Sequence, residues 1–266
     1  MMKFIDSHIH MEMIANKGIS IPELMNELTE MGFEGGLDIG VNIDDVQRRM
    51  SIIAPYPNIR WAAGLYPGNA EKDIDALLAR LENVITDHHP DALGEMGLDY
   101  HWDYGTPEKQ KKLFIGQIEL ANRYHLPIVI HNRDADADML EVLQHNPPQY
   151  GHILHCYSAA SAYLDDFIST GGFISIAGNV TFKNNSANVK EAAARVPASQ
   201  LLVETDSPYL APAPKRGRIN TPKLIVHTYT EVARLRGMEV DDLAEVVGKN
   251  FLSLFPSQRI KETPTV

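Results

Sequence analysis

Short runs of apolar, often β-branched residues alternate along the chain with longer stretches in which apolar residues recur every three or four positions. The short runs predict eight strands, over 3–10, 33–40, 59–65, 92–98, 127–131, 152–156, 172–177 and 201–206. The longer stretches predict helices over 20–31, 44–54, 72–86, 107–124, 135–145, 160–169, 187–195 and 222–236, with one more over 240–254. In the third of these, Ile74, Leu77, Leu78, Leu81, Val84 and Ile85 form one apolar stripe, as expected of a helix lying on a sheet. Residues 127–131 and 201–203 are apolar without alternation, the pattern of parallel strands covered on both faces. Thr106-Pro107 and Thr221-Pro222 read as helix starts, a capping hydroxyl followed by a proline whose missing N–H costs nothing there. Eight strand–helix units in order predict a (β/α)8 TIM barrel. No low-complexity tract or Gly/Ser linker interrupts them, so one domain is expected over 1–266, with 256–266 as a frayed tail.

Composition changes this picture only for partners. The 44% hydrophobic and 22% charged residues are those of an ordinary folded chain, while 24 Lys plus Arg against 35 Asp plus Glu leave a net charge of -11. That sign argues against a long duplex footprint or an anionic membrane, but not against a pocket taking one strand end. No apolar run approaches the ~20 residues of a membrane span. Asp6, His8 and His10 interrupt the segment where an export signal would need apolar residues, and the lone Cys156 allows no internal disulfide. These features lead us to expect a cytoplasmic protein with no membrane association and no obligate protein partner.

In a barrel of this kind the chemistry comes from the C-terminal strand ends and the loops after them. There stand Asp6-Ser7-His8-Ile9-His10, Gly94-Glu95-Met96-Gly97-Leu98-Asp99, Ile130-His131-Asn132-Arg133, His152-Ile153-Leu154-His155-Cys156 and Glu204-Thr205-Asp206-Ser207-Pro208. A lone histidine at a strand end is usually a hydrogen-bonded structural residue. Four histidines and two carboxylates on one rim are different, because unpaired groups of this kind are costly to desolvate and divalent cations supply the missing charge. His8, His10, Glu95, His131, His155 and Asp206 exceed the three or four protein ligands of one zinc and suggest two ions sharing a carboxylate. Glu204 lies one layer deeper and reads as a supporting carboxylate. Cys156 faces away by alternation and reads as a small core residue.

These blocks, with His155-Cys156-Tyr157-Ser158, Glu204 to Leu210 and Gly217-Arg218-Ile219-Asn220-Thr221-Pro222, resemble the TatD family of metal-dependent hydrolases, and the resemblance runs nearly end to end. It implies His8, His10 and Asp206 on one ion, His131 and His155 on the other, and Glu95 between them. The chain departs from the family where a Gly-x-His-Pro-His loop commonly follows the third strand. Here that loop is Gly64-Leu65-Tyr66-Pro67-Gly68, so the roles of those histidines do not transfer. Glu12 is a conservative change at an acidic position, and the fourth strand lacks the lysine that other amidohydrolase-like barrels carbamylate.

The expected chemistry is hydrolysis by water activated at two divalent ions, zinc foremost, with manganese, nickel or magnesium as alternatives. Asp206 is the candidate proton acceptor and Glu95 the shared carboxylate. The resemblance implies deoxyribonuclease or phosphodiesterase activity, on a DNA 3′ end or a small phosphodiester. Arg133, Lys183 and Arg218 are candidate phosphate contacts, in a neighbourhood that also holds Lys215 and Arg216. Tyr66, Tyr100, Trp102, Tyr157 and Tyr209 follow strands and are candidates for base stacking. Two rivals stay open: a hydrolase of an amide, lactone or similar bond on the same centre, and a metal-binding scaffold without catalysis.

Overall fold

The computed structural model describes residues 2–256, so the expected tail lies outside the described residues except for Pro256. Eight parallel strands, β1 (Phe4–Ile9), β2 (Phe33–Ile39), β3 (Ile59–Ala63), β4 (Ala92–Asp99), β5 (Ile128–Arg133), β6 (His152–Leu154), β7 (Phe173–Ile176) and β8 (Leu201–Val203), follow one another round one sheet in chain order. Helices α1 (Met11–Asn16), α2 (Ile21–Glu30), α3 (Val46–Ile53), α4 (Ile74–His88), α5 (Pro107–Arg123), α6 (Asp136–His145), α7 (Leu164–Ser169), α8 (Ala187–Arg195) and α9 (Ile225–Arg236) lie between the strands or after them, and α10 (Val240–Leu254) ends the fold. This is the expected (β/α)8 barrel, nearly closed. Among the described residues no helix is long and apolar enough to cross a membrane.

The seam between β1 and β8 decides where the chemistry falls. The Asp206 N–H donates to the His8 carbonyl at 3.1 Å and the His10 N–H to the Ser207 carbonyl at 3.0 Å. Below them, the buried Asp6 carboxylate accepts from the Thr205 N–H at 2.9 Å and the Thr205 hydroxyl at 2.6 Å. Backbone and side-chain bonds together thus close a loop of nearly the whole chain and set the first and last strand ends side by side.

The outer helices follow their apolar stripes. On α4, Ile74, Leu77, Leu81 and Ile85 are buried, and the Thr106 hydroxyl caps α5 by accepting from the Lys109 N–H at 3.4 Å. Thr221 does not cap with its side chain: Pro222–Leu224 form a 3-10 turn, and α9 starts only at Ile225. Strands β6 and β8 stop earlier than the apolar pattern suggested, because Cys156 (φ 44°) and Asp206 (φ 54°) turn the backbone out of the sheet. The short α1 has no counterpart in the sequence reading, since six residues carry too few repeats to show a helical period.

At the opposite end of the barrel, His152 opens β6 with its ring 3% exposed and its Nε2–H donating to Thr170 Oγ1 at 2.9 Å. Burial pushes its pKa from 6.5 down to about 4, so the folded protein holds it neutral. Between those two values the unfolded chain binds a proton that the folded chain refuses, and stability therefore falls as pH drops from 6.5 towards 4. We expect this residue to contribute on the order of 3 kcal/mol to that loss. Denaturant unfolding of metal-stripped wild type and His152→Gln at pH 7 and pH 4.5 checks it: the variant should lose less stability on acidification, and equal losses would refute the assignment.

Candidate metal centre

All six expected donors meet at the C-terminal mouth. His8 comes from β1 and His10 from the turn into α1, Glu95 from β4, His131 from β5, and His155 and Asp206 from just beyond β6 and β8. Glu95 stands in the middle with its two oxygens divided between two groups. Oε1 lies 2.8 Å from His131 Nδ1 and 2.9 Å from His155 Nε2, while Oε2 lies 3.6 Å from His8 Nε2 and 3.8 Å from His10 Nε2. Asp206 Oδ1 joins the second group, 3.7 Å from His8 Nε2 and 3.5 Å from His10 Nε2. Within the groups, the two Nε2 atoms of His8 and His10 are 3.1 Å apart, and His131 Nδ1 is 3.3 Å from His155 Nε2.

Three of the imidazoles are aimed by the nitrogen they turn away from the centre. His10 Nδ1–H donates to the Ile39 carbonyl at 3.1 Å, His131 Nε2–H to Asp99 Oδ2 at 2.9 Å, and His155 Nδ1–H to Glu204 Oε1 at 3.4 Å. Each bond commits the outer nitrogen as a donor and turns the other towards the centre, where it can meet a cation. Glu204 Oε1 also accepts the Cys156 N–H at 2.7 Å, which matches its expected supporting role. Behind His10, Arg49 is fully buried and donates through Nε and Nη2 to Asp38 Oδ2 at 2.9 and 2.6 Å, while Asp38 Oδ1 accepts the Met11 N–H at 2.9 Å. Residue 97 has to be glycine. Its φ is 146°, and a β carbon there would lie 2.0 Å from the His131 carbonyl oxygen, so β4 could no longer sit close to β5 at the level of the donors.

The electrostatics of the cluster call for positive charge. Burial alone would raise the pKa of Glu95, but the His155 charge and hydrogen bonds from His131, His155 and His8 hold it well below the usual carboxylate range. Against the same burial, Glu95 and Glu204 draw the pKa of His155 well above its ordinary value, Asp99 and Glu95 raise His131, and Asp206 raises His10. Only His8 goes down, through burial and the neighbouring His155. Two polar atoms at the cluster, His8 Nδ1 and Glu204 Oε2, are buried without a partner. Ligands about 2.1 Å from a tetrahedral ion stand about 3.4 Å apart, close to the separations found inside each group. The residues present therefore fit divalent cations on both sides of Glu95.

A cavity of about 600 Å³ opens above the centre, lined among others by Glu95, His131, His155, Asp206 and Arg133. Of the expected stacking residues it takes Tyr66, Trp102 and Tyr209, with the latter two 53% and 52% exposed at the rim. Tyr100 is bound to Asp138 at 2.6 Å, and Tyr157 is buried with its ring edge on Phe167, so neither lines the cavity. Arg133 lies over the Trp102 ring at 5.7 Å. Lys183 and Arg218 are exposed on the loops after β7 and β8 and are not among its lining residues. Arg216 stacks on Phe182 at 3.7 Å and joins those two loops.

Cys156 corrects the sequence reading. It lines the cavity instead of facing away, because β6 ends at Leu154 and alternation no longer applies beyond it. Burial and the nearby Asp206 and Glu204 push its thiol well above the ordinary range, so it stays protonated. Asp99 and Tyr104 were not singled out. Asp99 lies four residues beyond Glu95, and the two-residue period of a strand could have placed both on one face. Tyr104 is paired edge-to-face with Tyr66 at 5.7 Å, and a β carbon on Gly68 would meet its ring at 3.4 Å. Two tyrosines, from the loops after β3 and β4, thus form the wall beside His131.

Fold and site together define a metal-dependent hydrolase of the α/β barrel class, with donors from separate strand ends around one carboxylate. The chain belongs to the TatD family: the sequence profile described as "TatD related DNase" matches residues 5–256. It is 32% identical to the uncharacterized metal-dependent hydrolase YabD of Bacillus subtilis, over 94% of this chain and 98% of that protein. It is 31% identical to the uncharacterized metal-dependent hydrolase YcfH of Escherichia coli K12, over 96% of each chain. Among solved structures, the TatD homolog YjjV of E. coli K12 superimposes with a TM-score of 0.86 at 24% identity, over 94% of this chain and 97% of that one, and supports the fold.

The buried Asp38–Arg49 pair predicts a large effect of breaking it. Arg49→Met leaves Asp38 buried without its countercharge and should destabilise the protein by about 3–5 kcal/mol. Adding Asp38→Leu should recover part of that loss but not the bond to the Met11 N–H. Denaturant unfolding of both variants checks this, and a near-neutral Arg49→Met would refute it.

Proposed function

We propose that this chain is a phosphodiesterase of the deoxyribonuclease type, acting on DNA 3′ ends or small phosphodiesters. The observation that carries the reading is Glu95 presenting one oxygen to His131 and His155 and the other to the His8, His10 and Asp206 side, beneath an open cavity. Two divalent cations, zinc foremost, with manganese, nickel or magnesium as alternatives, would be held by those six residues and would supply acidified water and positive charge against the oxygens of the scissile group. Asp206, on the cavity wall, accepts the proton of the attacking water. Glu95 fixes the spacing between the two halves of the centre. Arg133, beside His131 and free to reach into the cavity, pairs with the phosphate. Trp102 and Tyr209 offer exposed ring faces on which terminal bases stack. Lys183 and Arg218, on loops of the same barrel end, meet phosphates further along a strand. The "DNase" in the family description supports the choice of bond.

Purified protein should carry close to two divalent ions by elemental analysis and should cleave a single-stranded oligonucleotide from its 3′ end or a chromogenic phosphodiester. Chelation should abolish cleavage, and His131→Ala should lower kcat by at least about 100-fold. Metal-loaded protein that leaves phosphodiesters intact while cleaving amides or lactones would overturn the choice of bond. Protein that binds no divalent ion would overturn the whole reading.

A further inference from the structure

Tyr66 sits in the loop after β3 with its ring 4.9 Å from the His131 imidazole, and its hydroxyl reaches past that ring to Asp99. The phenol oxygen is 2.9 Å from Asp99 Oδ2 and 3.2 Å from His131 Nε2. Asp99 is fully buried and acts only as an acceptor. Its Oδ1 takes the backbone N–H groups of His101 and Trp102 at 3.0 and 3.3 Å, and its Oδ2 takes the Tyr66 hydroxyl and His131 Nε2–H. With Nε2 committed to Asp99, Nδ1 is the nitrogen that His131 turns towards Glu95 Oε1, 2.8 Å away, and the one available to a cation there.

We propose that Tyr66 is a positioning residue for His131, its hydroxyl holding Asp99 in place and thereby setting the tautomer and aim of the imidazole at one half of the centre. This rests on the two-cation reading above. The hydroxyl does not serve as a proton acceptor, because burial and the nearby Glu95 and Asp99 carboxylates push the phenol far above its ordinary range. Its action is confined to one side. His10 is aimed instead by the Ile39 carbonyl, and Asp206 is carried by the loop after β8. Without the phenol O–H, Asp99 Oδ2 keeps a buried lone pair unsatisfied and the carboxylate is anchored through Oδ1 alone, so the partner that selects the His131 tautomer is less firmly held.

Tyr66→Phe isolates the hydroxyl, since the ring that packs on His131 and Tyr104 remains. Metal-stripped wild type, Tyr66→Phe and His131→Ala would be titrated with zinc against a chromophoric chelator, with thermal unfolding of each metal-free protein alongside. Wild type should take two ions in separable steps. Tyr66→Phe should weaken by about tenfold the step that His131→Ala abolishes and leave the other step unchanged, while the metal-free melting temperature falls by no more than the few degrees that one lost buried hydrogen bond costs. Two wild-type affinities in Tyr66→Phe would overturn the role of Tyr66 and leave the two-cation reading standing. Equal weakening of both steps would show a general structural role and also overturn it. Fewer than two ions on wild type would overturn both.

Discussion

The structure depends on the closure of the barrel between its first and last strands. Asp6 binds Thr205 twice, and one level up the backbone bonds between His8 and Asp206 and between His10 and Ser207 complete the seam. The same few residues are both the join that makes a barrel of an open sheet and one half of the donor set. Forming the fold therefore assembles the site. His8 and His10 meet Asp206 only when residues nearly 200 positions apart are hydrogen bonded across that seam.

Around the seam, three of the four histidines have a partner on the side away from the centre. The Ile39 carbonyl, Asp99 and Glu204 take the outer nitrogens of three histidines. The Asp38–Arg49 pair holds the start of α1. Such groups would be a heavy burden if unpaired, and their hydrogen bonds convert that burden into orientation. Carboxylates and imidazoles crowd together on the inner side, where a cation belongs. The tyrosine pair at residues 66 and 104 extends the same logic to the wall beside His131. A hydroxyl there anchors the supporting carboxylate of His131 and does not face substrate as a titrating group.

Much of this was legible along the chain. The eight strand runs, the stripe of α4 and the capped start of α5 survive with shifts of a few residues, because burial on a barrel imposes a period that the sequence has to carry. The candidate donors were legible because His and carboxylate residues stand at the ends of β1, β4, β5, β6 and β8, and topology alone gathers strand ends on one rim. Illegible were features that depend on where a strand stops. Cys156 entered the cavity because β6 ended two residues earlier, and Thr221 gave up its cap because a 3-10 turn intervenes. Asp99 was hidden by its resemblance to an ordinary strand-end acid; only the position of the His131 ring shows what it holds.

The sequence by itself determined the barrel, the rim on which the chemistry falls and the set of donor types, since periodicity and strand order are one-dimensional properties. The tertiary structure alone decided the division of Glu95 between two groups of histidines, the inward nitrogen of each ring, the pairing of Asp38 with Arg49, and the placing of Tyr66 against Asp99 and His131. Each of these rests on distances between 2.6 and 3.8 Å among atoms that the chain brings together only on folding. Hydrogen bonds are that short-ranged and directional, so no pattern along a single strand or helix encodes them.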